Sequence, residues 1–368
     1  MKLRNANTIL ALLISTWMTA GLAAQNQLQP RNTQNNQLQN RQGFQQQGGV
    51  QNNGVQNNGV QGNRVPAQNA SNRTMQPRKP AGWTDPTPEH QKYLDQLLLV
   101  WEQRSAKIQR YEFSFERWIY SPQFCRWRDP VNKRLAACTL ARGTVRYQAP
   151  DKGMYEVTRA WRFKGVKKVK NQQGQMVEEA DYEEIKDQNN KAEKEKWICD
   201  GNSIFEYDFE TKRIYETKLP EDMRGQGLKN SPLPFLFGVK ADEIKARYWV
   251  RVRPQNNNKI FVLEAFPKRI EDARNFKKID LVLTRDPYLP VSLTMYAPNF
   301  DAKTNQSYTV FQFKDRKVDG GLSQINQWLG NFVKPNPPNL LWKVVERKPL
   351  ANQPNSQAKQ PQLQNRRK

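Results

Sequence analysis

One histidine and three cysteines are all the chain offers of the residue types that most often hold metals or attack substrates. The lone histidine, His90, excludes His-rich zinc sites and the His-Glu-x-x-His arrangement, which needs two imidazoles one helical turn apart. There is also no Gly-x-Ser-x-Gly elbow and no glycine loop to cradle a phosphate, so an enzyme is not expected, and neither is a cofactor. Acidic residues are missing from both ends: the first is Asp85 and the last is Glu346. Beyond the first 24 residues no apolar run approaches the roughly 20 residues that a spanning helix needs.

The first residues predict a compartment. Lys2 and Arg4 precede an apolar stretch from Thr8 to Ala20, and Gly21-Leu22-Ala23-Ala24 supplies small residues for cleavage. This is the pattern of a secretory signal peptide over 1–24. No cysteine follows the cleavage region, which argues against a lipid-anchored lipoprotein. The expected mature protein is exported to the periplasm or cell envelope and soluble. Residues 25–80 are dominated by Gln, Asn and Gly, with Val50–Gly54 repeated as Val55–Gly59. Such a segment cannot bury enough apolar surface to fold and reads as a disordered basic linker. Residues 350–368 read as a disordered basic tail, which leaves one folded domain over 81–349, long enough for a single substantial core.

The net charge is +24, and fourteen of those charges lie in the acid-free flanks before Asp85 and after Glu346, leaving +10 between them. Basic arms attract polyanions by counterion release. In an exported protein the expected polyanion is an anionic envelope polymer or membrane surface, and no nucleic-acid partner is expected. Cys125 and Cys138 flank a charged connection and form a candidate disulfide in an oxidising compartment. Cys199 reads as a small buried apolar residue.

Within the domain, Thr87-Pro88 reads as an N-cap followed by proline at the first helical position. Tyr93, Leu94, Leu97, Leu98, Trp101, Ser105 and Ile108 then follow at three- and four-residue spacing, predicting an amphipathic helix over Pro88 to Arg110. Alternating strands follow: Tyr111 to Glu116, Gly143 to Tyr147 and Met154 to Thr158. Lys164 to Lys196 reads as an extended, solvated, charged hairpin or insertion. Trp197-Ile198-Cys199, Asp200-Gly201-Asn202 and Ser203 to Tyr207 form a hairpin whose Asp-Gly-Asn turn allows positive φ. A two-residue loop pairs odd positions before the turn with even positions after it. Ile198, Phe205 and Tyr207 then share one face and Trp197, Cys199 and Ile204 the other, so both sides are apolar. Pro232 to Ala246 reads as a short helical segment headed by Phe235-Leu236-Phe237. Further strands are expected at Tyr248 to Val252, Ile260 to Ala265, Ile279 to Thr284, Val291 to Tyr296 and Ser307 to Phe313. The fold class is therefore mainly β (α+β), a large antiparallel sheet that must curl.

The order of these elements resembles the localisation-of-lipoproteins carriers, the LolA/LolB-like fold, and more closely an uncharacterised bacterial envelope family on the same plan. The resemblance rests on the helix running into the strand Ile108 to Arg117, on Gly143-Thr-Val-Arg-Tyr147 meeting Pro150 and Tyr155, on the Asp200-Gly201 turn of Cys199 to Tyr207, and on Phe332-Val-Lys-Pro-Asn-Pro-Pro338. It implies a strongly curved, unclosed antiparallel half-barrel covered by an N-terminal amphipathic helix and a short second helix. It also implies an apolar cavity for a lipid or acylated protein. The carriers place an arginine before the proline matching Pro150, where it helps control lid opening; here that residue is Ala149.

The candidate lining is Phe113, Phe115, Tyr155, Val157, Ile198, Phe205, Tyr207, Phe235, Leu236, Phe237, Leu281 and Leu293. The same residues also fit an ordinary filled core, which is the stronger reading for any one of them taken singly. Two function classes follow: a lipid- or lipoprotein-binding carrier, or a structural or interaction protein held on anionic polymers by its arms. A hydrolase would need two carboxylates in one cleft. Asp200, Glu206 and Asp208 lie close along the hairpin, with Asp200 accounted for by its turn and the other two by solvent exposure. The sequence carries no signal for oligomeric state.

Overall fold

The computed structural model describes residues 79–185, 195–219, 221, 224, 236, 240–320, 328 and 332–347. The expectations for 1–24, for the linker up to residue 78 and for 350–368 lie outside them. Helix α1 (Pro88–Ser105) starts where the sequence predicts. Thr87 is extended, and its Oγ1 accepts from the backbone N–H of His90 at 3.3 Å. The helix ends at Ser105, short of Arg110, because the chain must straighten to enter β1 (Arg110–Tyr120). Leu94, Leu97, Leu98 and Trp101 form its buried stripe, whereas Tyr93, expected in that stripe, is largely exposed.

One sheet of thirteen strands holds the domain together. After β1 come β2 (Thr139–Gln148), β3 (Lys152–Lys170), β4 (Met176–Glu184), β5 (Lys196–Asp200), β6 (Ser203–Asp208) and β7 (Arg213–Lys218). Helix α2 (Ala241–Arg247) leads into β8 (Tyr248–Arg253) and β9 (Ile260–Pro267). Helix α3 (Ile270–Ala273) precedes β10 (Lys278–Thr284), β11 (Pro290–Tyr296), β12 (Tyr308–Val318) and β13 (Lys343–Arg347). The spatial order is β13-β7-β6-β5-β3-β2-β1-β12-β11-β10-β9-β8, with β4 extending β3 outward as a two-stranded ribbon. The pairings are antiparallel except for β13 against β7, which is parallel.

A twisted sheet of this length must curl. Strands from β3 to β8 contribute to a single apolar cluster around α1 and α2, so the sheet wraps round the helices and stays open between β13 and β8. The pleat decides what enters that concavity: Tyr111, Phe113, Phe115 and Arg117 point inward from β1, and Glu112, Ser114, Glu116 and Trp118 point outward.

Phe115 pairs with Gly143, which pairs with Val157, and a bulge sits at Arg142/Gly143. A Cβ on Gly143 would meet the Glu156 carbonyl oxygen at 2.1 Å and the Phe115 ring at 2.5 Å. The glycine is therefore where the Phe115 ring crosses β2. Gly143→Ala is expected to destabilise the domain by about 1–3 kcal/mol through overpacking, measured by urea unfolding.

Cys125, Ala136 and Cys138 form a small buried cluster under Phe124, Trp127, Phe163 and Ala180. Both thiols are free in this structure, and they lie within hydrogen-bonding reach of each other. That shared contact, with burial, holds the Cys138 thiol far above its ordinary range. We expect the pair to close under oxidising conditions, so that denatured protein titrates one thiol, Cys199, instead of three. Reduction would then cost about 3 kcal/mol of stability in the same urea assay.

Candidate ligand-binding face

The inner face of the sheet is an aromatic ladder. Phe115 stacks on Tyr155 at 4.9 Å between centroids and 12° between planes, and Tyr155 stacks on Trp197 at 5.8 Å and 9°. Phe113 meets Phe313 edge-on at 5.0 Å, and Phe115 meets Phe311 at 5.9 Å. Leu281 and Leu293 continue the surface across β10 and β11. The stripe of α1 sits on this face, joined by Ala241 and Ile244 of α2 and by Leu236. Leu98 is 0% exposed and Phe113, Phe115, Leu281 and Leu293 are each 1% exposed, so the helix stripe and the sheet close these side chains off from solvent.

Seven of the twelve residues named from the sequence meet here: Phe113, Phe115, Tyr155, Val157, Leu236, Leu281 and Leu293. Phe235 and Phe237 lie outside the described residues. Ile198, Phe205 and Tyr207 do not join this face. They cluster with Met154, Ile214, Trp328, Phe332 and Trp342 on the opposite side of the sheet. The pleat is the reason: Tyr155 pairs with Trp197 and Met154 with Ile198, so the inward turn of Tyr155 takes Trp197 in and sends Ile198 out. The hairpin register itself is as expected, with Trp197 opposite Glu206, Ile198 opposite Phe205 and Cys199 opposite Ile204, and Gly201 has φ +95°.

Sequence reasoning missed the polar end of the same face. Arg117 is 5% exposed and donates from Nη1 and Nη2 to the two Glu195 carboxylate oxygens at 2.7 and 2.8 Å. It also donates to the Tyr155 hydroxyl at 3.1 Å. The alternation of β1 could have placed Arg117 beside Phe115; nothing local could have supplied Glu195 as its partner. Burial pushes the Tyr155 phenol well above its ordinary range. Glu206, inward because it pairs with Trp197, accepts from Arg347 at 2.7 Å, and that guanidinium lies 3.6 Å from the Tyr215 ring centroid.

Burial raises the Glu206 carboxyl above the ordinary glutamate value. Arg347 opposes the shift, and the charges of Asp208 and Glu195 add to it. Glu206 thus feels a second carboxylate on its own face, and each of the two is held by an arginine. Asp200 and Asp208 are turn residues: Asp200 accepts from the N–H groups of Asn202 and Ser203, and Asp208 from those of Glu210 and Thr211. His90 sits in the first turn of α1. Among the described residues no group of His, Cys, Asp and Glu could hold a metal, and no helix is long and apolar enough to cross a membrane.

Solved structures similar to this chain include an uncharacterised conserved protein from Thermus thermophilus, at 7% identity and TM-score 0.36, covering 69% of this chain and 99% of that one. A LolA superfamily protein from Nitrosomonas europaea matches at 9% identity and TM-score 0.28, covering 66% and 97%. A putative outer membrane lipoprotein-sorting protein domain from Vibrio parahaemolyticus matches at 12% identity and TM-score 0.25, covering 64% and 98%. No family model and no curated protein matches. The open, curved antiparallel sheet with α1 in its concavity is the unclosed half-barrel expected from the sequence.

A carboxyl raised in the folded state takes up a proton there before it does in the unfolded chain. Its contribution to stability therefore grows as pH falls through the folded value. The urea stability of the native chain relative to Glu206→Gln is expected to rise between pH 7 and about pH 4. No change in that difference would remove the shift from the account.

Proposed function

We propose that the chain is an exported lipid- or acylated-protein-binding carrier whose inner face receives acyl chains when α1 lifts. The observation that supports this reading is the continuous apolar inner face closed by one amphipathic helix. The polar ties of that helix to α2 are weak: Glu102 accepts from the Ala241 N–H at 3.0 Å, and Asp95 pairs with Lys245 at 3.1 Å, half exposed. Four buried side chains hold the helix down, worth about 6–12 kcal/mol at about 1.5–3 each. An acyl chain of about 16 carbons gains about 12 kcal/mol on leaving water, so it competes for this face on nearly equal terms. Ala149 packs at the edge of the same core where the resembled carriers have arginine, so lid movement here does not depend on a guanidinium at that position.

The second reading is a non-enzymatic structural or interaction protein held on anionic envelope polymers by its basic arms, and the near-complete burial of the inner-face side chains supports it. One pair of measurements separates the two. A carrier is expected to yield fatty acid or phospholipid in mass spectra of an organic extract of the purified protein; an empty extract removes the first reading. Deleting 25–79 together with 350–368 is expected to abolish retention on anionic cell-wall material if the second holds, and unchanged retention removes it.

A further inference from the structure

The outer face of the sheet carries a feature that neither the core nor the inner face needs. Trp118 on β1 lies opposite Leu140 on β2, which lies opposite Trp161 on β3, so three large apolar side chains form one row, all half-buried. Their chain neighbours Arg117, Ala141 and Ala160 point the other way and are buried. The row floors a cleft of about 280 Å³, walled on one side by Lys167, Asp181 and Tyr182 of the β3–β4 ribbon. Arg142 and Arg159 lie over the Trp161 ring at 5.3 and 4.8 Å from its centroid and fix that indole. Among the described residues no ring or cation stacks on Trp118, which lines the cleft half-buried.

The rim supplies both donors and acceptors. Arg142 pairs with Glu116 at 2.9 Å, Glu116 also holds Lys314 at 2.6 Å, Arg159 pairs with Glu184 at 2.7 Å and Lys167 with Asp181 at 3.7 Å, so each cation at the cleft faces a carboxylate. A phosphate chain or other polyanion calls for an unbalanced cationic track, which this cleft does not have. An acyl chain calls for more enclosed volume than this, since sites for drug-sized ligands run to about 300–1,000 Å³. A sugar ring fits both conditions: its C–H face is flat and apolar, and its hydroxyls each donate and accept. We propose that this cleft is a binding subsite for a neutral glycan chain, with Trp118 as the stacking platform and the Arg142–Glu116 and Lys167–Asp181 pairs as hydroxyl partners. The site lies on the opposite face from the acyl-binding surface and stands independently of that reading.

The test titrates the full chain with chitotetraose, cellotetraose and maltotetraose, and in parallel with dextran sulfate and a single-stranded DNA oligomer. The readouts are the Trp118 indole N–H signal by NMR and calorimetry. At least one neutral tetrasaccharide is expected to move that signal with a dissociation constant near or below about 1 mM. Trp118→Ala is expected to weaken binding about tenfold or more, while Trp118→Phe, which keeps a ring on the outer face, stays within about threefold. Urea unfolding of both variants separates loss of binding from loss of fold. No shift from any neutral tetrasaccharide at about 10 mM overturns the proposal. So does binding of the polyanions alone, or unchanged affinity in a folded Trp118→Ala.

Discussion

The passage of the Phe115 ring across Gly143 onto Tyr155 sets the direction of the side chains around it. With no Cβ in the way, β1 and β3 touch through β2, and Tyr155 is held inward against both Phe115 and Trp197. Once Tyr155 faces inward, Met154 and Ile198 must face outward, where they cluster with Phe205, Ile214, Trp328 and Phe332. The domain therefore has two apolar layers on opposite sides of one sheet, and the parity of β3 decides which residue enters which. The outward layer lies toward the β7 end and the inward one under the helices.

Charge follows the same parity. On the outer face of β8 to β11, Arg251 and Lys278 hold Glu264, and Arg253, Lys278 and the Tyr296 hydroxyl hold Asp280. This network occupies positions where the inner residues Val250, Leu263, Ala265, Ile279 and Leu281 are all buried. Buried or half-buried pairs of this kind add little net stability but exclude the alternative in which the strand slips by one residue and turns its charges inward. The flanks before Asp85 and after Glu346, by contrast, carry their positive charges with no acid beside them.

Much of this was legible in the sequence because it is local. The Thr87 cap, the alternation of β1 and the odd-to-even register of the β5–β6 hairpin each depend on residues within a few positions of one another, and each stands as read. What was not legible depends on long-range pairing. Both sides of the β5–β6 hairpin are apolar, so only its partner β3 could say which side faces α1. Arg117 and Glu195 are 78 positions apart, and the parallel docking of β13 beside β7 leaves no alternation strong enough to announce it. Of the candidate lining, the residues on strands flanking α1 share one face, whereas Ile198, Phe205 and Tyr207 lie across the sheet from it.

The pairing of β1 with β12 joins Tyr111 to Val318 and Tyr120 to Tyr308 at the middle of the sheet. A chain synthesised amino end first would present β1 to β7 with one side of that seam bare and with Phe113 and Phe115 lacking Phe311 and Phe313. Closing the seam brings together segments about two hundred residues apart, a non-local contact of the kind that makes folding slow. The outer edge of β7 would wait longer still, since β13 is the last strand to appear. Until both have formed, the half-built sheet exposes the apolar strands that the finished fold buries.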